Sequence, residues 1–135
     1  RSVFEDAYQR LKEAGLTVIV HLIFGLPGED EETMLDSVRY LSNLMPRLDG
    51  VKLQLLQILR GTKIAEEFAE KPWHVMTLGE YAELLVKTLR LLPEETIVHR
   101  ITGDGPKKLL IEPRWCADKK HVMNTLHKAI DRAEK

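Results

Sequence analysis

A single cysteine, Cys116, stands among 135 residues. No intramolecular disulfide can form, a set of thiolate ligands for an iron-sulfur cluster is absent, and the usage fits a reducing cytosol. No apolar run approaches the roughly 20 residues of a transmembrane helix. The opening Arg1-Ser2-Val3-Phe4-Glu5-Asp6 lacks the apolar core of a secretion signal. Charge of either sign is not in excess: the formal net charge is -1, which gives no global electrostatic case for a nucleic-acid or membrane partner. His21, His74, His99, His121 and His127 lack zinc-ligand spacing. Neither a Gly-x-Ser-x-Gly elbow nor a Gly-x-x-x-x-Gly-Lys-Ser/Thr loop occurs, so a hydrolase or nucleoside triphosphatase has little support. Internal repeats, low-complexity tracts and linkers are missing too, with Lys71-Pro72 the weakest point of the chain.

What is present is a composition 44% hydrophobic and 30% charged, ordinary for one globular domain with a sizeable core. Its centre is the run Val18-Ile19-Val20-His21-Leu22-Ile23-Phe24, which leads into Gly25-Leu26-Pro27-Gly28 and then the acidic Glu29-Asp30-Glu31-Glu32. An apolar run without alternation predicts a strand over residues 17–24 buried on both faces, as in a parallel sheet. Ligands bind such sheets at the carboxyl ends of the strands, where glycines let a flat group approach the backbone. An ordinary strand-to-helix turn has the same spacing, and an acidic run at a helix start ordinarily complements the helix dipole.

Around this centre, apolar periodicity predicts a helix over residues 2–14 capped by Ser2 and closed by Gly15, and another from Asp30 to Met45 ended by Pro46. Val51 to Leu59 reads as a second strand interrupted by Lys52, Gln54 and Gln57; the two glutamines differ by three and so point to opposite faces. A short helix follows from Lys63 to Glu70. Thr77-Leu78-Gly79-Glu80 is a capping-box pattern opening a helix that stops before Pro93. Thr96 to Ile101 is a third strand leading into the tight turn Gly103-Asp104-Gly105-Pro106, where Pro106 removes a donor that an anion-binding nest would need. Asp118 caps a last helix from Lys119 to Ala133. Strands alternating with helices predict an α/β fold of about three mainly parallel strands with helical crossovers. Three strands are few for a free-standing sheet, and the chain starts at Arg1 already in helical period, so the expectation is a piece of a longer barrel.

His21-Leu22-Ile23-Phe24-Gly25-Leu26-Pro27-Gly28-Glu29 resembles the fifth-strand motif of radical SAM enzymes, in the branch related to oxygen-independent coproporphyrinogen oxidases and elongator-type proteins. Ile101-Thr102-Gly103-Asp104-Gly105-Pro106 and Leu110-Ile111-Glu112-Pro113-Arg114-Trp115 are similar to the C-terminal end of an uncharacterised bacterial radical SAM subfamily. The resemblance covers nearly the whole chain. It departs from the family in three places: the three-cysteine cluster motif is absent, His21 stands where a glycine is usual, and Gly28-Glu29 displaces a glutamate expected three residues after the second glycine.

The resemblance implies the C-terminal fragment of a partial (β/α) barrel, a single domain over residues 1–135, with the cluster-binding N-terminal portion upstream. It implies S-adenosylmethionine (SAM) and a [4Fe-4S] cluster as cofactors of the full-length enzyme, whose reductive SAM cleavage yields a 5′-deoxyadenosyl radical for hydrogen abstraction. On that likeness Ile23 packs on the adenine and Gly25 admits it. Gln57, Ile58 and Leu59 offer main-chain hydrogen bonds and apolar contact to the same ring. His99, Arg100, Thr102 and Asp104, at the end of the third strand, are the substrate-contact candidates, with Arg100 suited to an anionic group; a solvated strand end reads the same way. Trp73 and His74 are expected in a loop over the mouth. The implied partners are the missing N-terminal part and a reductant such as flavodoxin or ferredoxin. Related enzymes act on porphyrin precursors and on tRNA, and the near-neutral charge does not favour a large RNA footprint. The fragment alone is expected to be inactive. A cytoplasmic non-catalytic α/β interaction module that self-associates through an open strand edge is the alternative. A small α/β enzyme with histidine acid-base chemistry is a third.

Overall fold

The computed structural model describes residues 1–103 and 105–134. The described elements run α1 (Ser2–Glu13), β1 (Ile19–Phe24), α2 (Glu31–Ser42), β2 (Gly50–Leu55), β3 (Ile58–Leu59), α3 (Lys63–Glu70), α4 (Leu78–Leu91), β4 (Ile97–Arg100), β5 (Leu110–Glu112) and α5 (Lys119–Glu134). Two 3-10 turns, Lys107–Leu109 and Arg114–Ala117, flank β5. The expected α/β architecture is present: β1, β2 and β4 form a parallel sheet in that order, each strand separated from the next by helix.

Consecutive parallel neighbours joined by crossovers of one hand carry their helices on one side of the sheet. Here α1, α2, α4 and α5 share a single core with the inward strand residues. Tyr8, Leu35, Val38, Leu84, Leu85 and Leu126 close over Phe24, Val51, Leu53 and Leu55, all buried. Tyr81 sits in the middle of this layer, its ring edge-on to Phe24 at 6.5 Å and its hydroxyl donating to the Ile101 carbonyl at 2.6 Å.

The helix ends follow local chemistry. Asp30 caps α2 by accepting from the Thr33 amide, and Thr77 with Glu80 makes the reciprocal capping box of α4. Ser2 does not cap α1: the helix begins one residue earlier than a Ser2 cap requires, with Arg1 in the cap position and no side-chain bond. At the other end Gly15 and Leu16 donate to the Lys12 and Leu11 carbonyls, a Schellman closure. The helix expected to continue to Met45 ends at Ser42. The chain then descends to β2 with Arg47 donating to the Ser42 carbonyl and Tyr8 to the Pro46 carbonyl.

Two further expectations are corrected. The β1 strand is not buried on both faces: Phe24 is buried, but Ile19, His21 and Ile23 stand exposed on the opposite side. Its uniform apolarity hid an alternation that only the partner layers define. The second strand is not continuous to Leu59 either. It stops at Leu55, and the chain turns so that Ile58–Leu59 pairs antiparallel with Leu110–Glu112 in a separate two-stranded sheet.

Candidate functional site

The sheet has one face closed by helices and one face open. Register defines the open face. Ile19, His21 and Ile23 of β1 stand beside Gly50, Lys52 and Gln54 of β2. On the other side Gly50 pairs with Ile97 and Lys52 with Arg100. Side chains on paired residues of neighbouring strands point the same way. Three rungs therefore cross this face: Ile19–Gly50–Ile97 at the amino end, His21–Lys52–Arg100 in the middle, and Ile23–Gln54 at the carboxyl end.

A register shift between Val51 and Lys52 makes the middle rung. Val51 pairs with Val98 and Lys52 with Arg100, so His99 is the extra residue of a bulge. In unbroken register Arg100 would stand opposite Leu53 and point into the helix-covered core. The bulge turns it outward instead. His99 lies on the same face, over Gly50: a Cβ at Gly50 would fall 2.7 Å from His99 Nε2, so the imidazole keeps this seat only over a glycine. His21 Nε2–H donates to Gln54 Oε1 at 2.6 Å, because an amide oxygen needs a donor. Lys52 is half-buried and Arg100 exposed, and neither has a hydrogen-bond or ion-pair partner among the described residues.

Beyond Ile23 the chain makes its sharp turn. Gly25 has φ +89°, a conformation L side chains rarely adopt, and a Cβ there would also press on Leu55 at 3.1 Å. Glu29 closes the turn by accepting from the Leu26 amide at 3.3 Å. On the helix side of this turn lies a cleft of about 540 Å³, bordered by Gly25, Met34, Leu56, Ile58, Trp73 and Met76 and rimmed by Glu29, Asp30, Glu31, Glu80 and Glu83. Residues 73–77 strap its outer wall: Trp115 Nε1–H donates to the Met76 carbonyl at 3.0 Å, and His74 contacts Glu80 at 3.0 Å. Trp73 and His74, expected over the strand mouth, line this cleft.

The expected adenine residues are thus divided. Ile23 stands on the open face, 37% exposed. Gly25 and Ile58 border the cleft, and the Ile58 side chain is buried. Gln57 spends its side-chain oxygen on the Gly105 amide at 2.7 Å, and Leu59 pairs with Leu110. Of the expected substrate contacts, His99 and Arg100 share the open face, and Thr102 lies half-buried in the bend that follows. Asp104 lies outside the described residues. Three polar residues of the open face, His21, Lys52 and Gln54, were not among the expected contacts. Their signal was in the sequence: Lys52 and Gln54 differ by two and so share a strand face.

Cys116 does not fit a cluster ligand. It is half-buried behind Trp115, its thiol pushed up to about 11 by burial despite a hydrogen bond with Gln57. Among the described residues no group of three or more histidine, cysteine or carboxylate side chains is arranged to hold a metal ion. No helix among them is long and apolar enough to cross a membrane.

Comparison with known proteins finds relatives of this chain. The Radical_SAM C-terminal domain family matches residues 48–132. The chain is 32% identical over 128 residues to YtqA of Bacillus subtilis, covering 95% of this chain and 39% of that protein. It is 29% identical over 116 residues to YhcC of Escherichia coli K12, covering 86% of the chain and 37% of the relative. Elongator complex protein 3 of Drosophila melanogaster is 28% identical over 106 residues, 78% of this chain and 19% of that protein. The chain therefore spans about two-fifths of the bacterial relatives and one-fifth of the elongator subunit. With more than half of its length matched, it belongs to the radical SAM C-terminal domain family.

Proposed function

We propose that this chain is the C-terminal part of a radical SAM enzyme, in which the carboxyl end of the open sheet face forms the adenine-contacting side of the SAM site and the rest of that face lines the substrate mouth. The observation that carries the reading is Ile23. An isoleucine left 37% exposed, two residues before a glycine of positive φ, presents a flat apolar wall beside accessible backbone, which is what an adenine needs. Ile23 packs on the ring, and Gly25 admits its edge. SAM, when bound at a cluster in the full-length protein, would supply the radical chemistry for hydrogen abstraction from substrate. The ligands of that cluster belong to the upstream part of the protein, since Cys116 does not serve. The electron comes from a reductant such as flavodoxin or ferredoxin, in the cytoplasm.

The test uses the full-length protein, reconstituted anaerobically with iron and sulfide. Electron paramagnetic resonance should detect a reducible [4Fe-4S] cluster whose signal is perturbed by SAM. Ile23→Glu should keep the cluster signal and lose the perturbation. Absence of any cluster would overturn the reading.

One observation favours a second reading, a non-catalytic assembly module. The outer edge of β1 is unpaired among the described residues and carries exposed Ile19, a template for strand addition. Size-exclusion chromatography separates the two: an associated 135-residue chain beside a monomeric full-length protein marks a truncation effect, whereas association of both supports a native assembly.

A further inference from the structure

We infer that the middle rung of the open face is an anion site, and that the substrate of the proposed enzyme carries a carboxylate or phosphate group held between Lys52 and Arg100. The inference rests on the reading of this face as the substrate mouth and adds to it the chemical class of the substrate.

Lys52 and Arg100 are register partners on neighbouring strands, whose backbones lie about 4.8 Å apart. Like charges placed directly opposite across strands destabilise a sheet. Ordinary strand pairing would have avoided the conflict, because unbroken register directs Arg100 toward Leu53. The bulge at His99 removes that separation and puts both cations on one face. Bulges of this kind re-aim side chains beside active sites. Nothing among the described residues offsets the charge: the strand positions of this face hold isoleucine, histidine, glycine, lysine, glutamine and arginine, with no carboxylate.

The surroundings suit an anion as well. His21 stands in the same rung on the far side of Lys52 and is fixed by its bond to Gln54. The imidazole of His99, seated over Gly50, borders the rung on the amino side. A planar guanidinium beside a mobile ammonium is a donor set for a carboxylate or a phosphate. Ile19 and Ile97 below and Ile23 above flank the rung with apolar side chains that are themselves exposed. Ile23 is one rung, or about 6.6 Å, from Lys52 along the strand direction. A substrate anchored at the rung therefore reaches toward the end of the face where the adenine is proposed to lie.

The test measures binding of two probes, inorganic phosphate and succinate, to the full-length protein by isothermal titration calorimetry at low salt. The variants are Lys52→Gln, Arg100→Gln and the conservative Lys52→Arg. Wild type should bind at least one probe, more weakly as salt rises. Phosphate alone marks a phosphate-bearing substrate, and succinate alone a carboxylate-bearing one. Each glutamine variant should weaken binding roughly ten- to hundredfold, the loss of one charge-assisted bond, while Lys52→Arg retains it. The SAM-dependent change in the cluster signal should persist in all three variants. Failure of wild type to bind either probe overturns the inference, as does binding that the glutamine variants leave intact. Loss of the SAM effect in those variants would instead assign the cations to the cofactor. A fall of several degrees in thermal midpoint without anion binding would assign them to an ion pair with carboxylates of the upstream part. Absence of a cluster alongside probe binding that follows the variants would leave the rung standing and sink the radical SAM reading alone.

Discussion

The two faces of the β1-β2-β4 sheet obey different rules. On the helix-covered face Val51, Leu53 and Leu55 are 0–3% exposed and meet Val38, Tyr81, Leu85 and Leu126 from three helices. On the open face the same strands alternate apolar and polar residues, and Ile19, Ile23 and Ile97 remain 41%, 37% and 61% exposed. One face is complete within these 135 residues. The other is left exposed, and its polar residues are held by a bulge and a close-approach glycine rather than by burial. The difference teaches that packing fixes the first face, whereas the second is free to carry binding chemistry.

The largest effect should come from breaking the covered face. Leu53→Ala is expected to destabilise the 135-residue chain by about 2–5 kcal/mol, because a fully buried leucine leaves a cavity. Lys52→Gln, its neighbour on the open face, should change stability by no more than about 0.5 kcal/mol. Urea denaturation of both variants checks the contrast, and equal losses would erase it. Tyr81→Phe comes next. Its hydroxyl donates to Ile101 from inside the core, and losing that bond should cost about 1 kcal/mol. Burial also raises the Tyr81 phenol, so its absorbance should not titrate near pH 10 in the folded chain. Thr77→Ala, which removes the capping box of α4, should cost about 1 kcal/mol or less.

Chemical reactivity sharpens the contrast further. With its thiol pushed up to about 11, Cys116 should react with iodoacetamide far more slowly at pH 8 than a free cysteine. Labelling at the ordinary rate would show that the Trp115 turn does not shield it. The smallest effect belongs to the amino end of the sheet. The Lys12 ammonium, then the Val18 amide, hold the Asp49 carboxyl below its usual 3.8. A depressed carboxyl contributes stability in full above pH 3.8 and loses it as pH falls through the lower folded value. Asp49→Asn should flatten that acid limb in a thermal-midpoint profile, and an unaltered limb would remove Asp49 from the account.

Much of the fold was legible because its signals are local. The Thr77–Glu80 capping box, the Asp118 cap and the apolar stripes of α2, α4 and α5 each follow from spacing within one helix. The β3–β5 pair was not legible, since two and three residues joined across half the chain leave no periodicity. The division of β1 into an open and a covered face was hidden for a related reason: Ile19 and Ile23 are as apolar as Val20 and Leu22. Arg100 and His99 were expected at the mouth, but the bulge that sets both on one face with Lys52 is a property of strand pairing. Gln57 illustrates the limit of a single residue: its side chain serves the turn at Gly105.

The most direct test of the central claim, that the open face meets SAM, is amide hydrogen exchange of the full-length protein with and without the cofactor. The account predicts that SAM slows exchange in residues 22–26 at the carboxyl end of β1 and leaves the core helix α5 unchanged. Equal exchange across residues 22–26 in both states would contradict it.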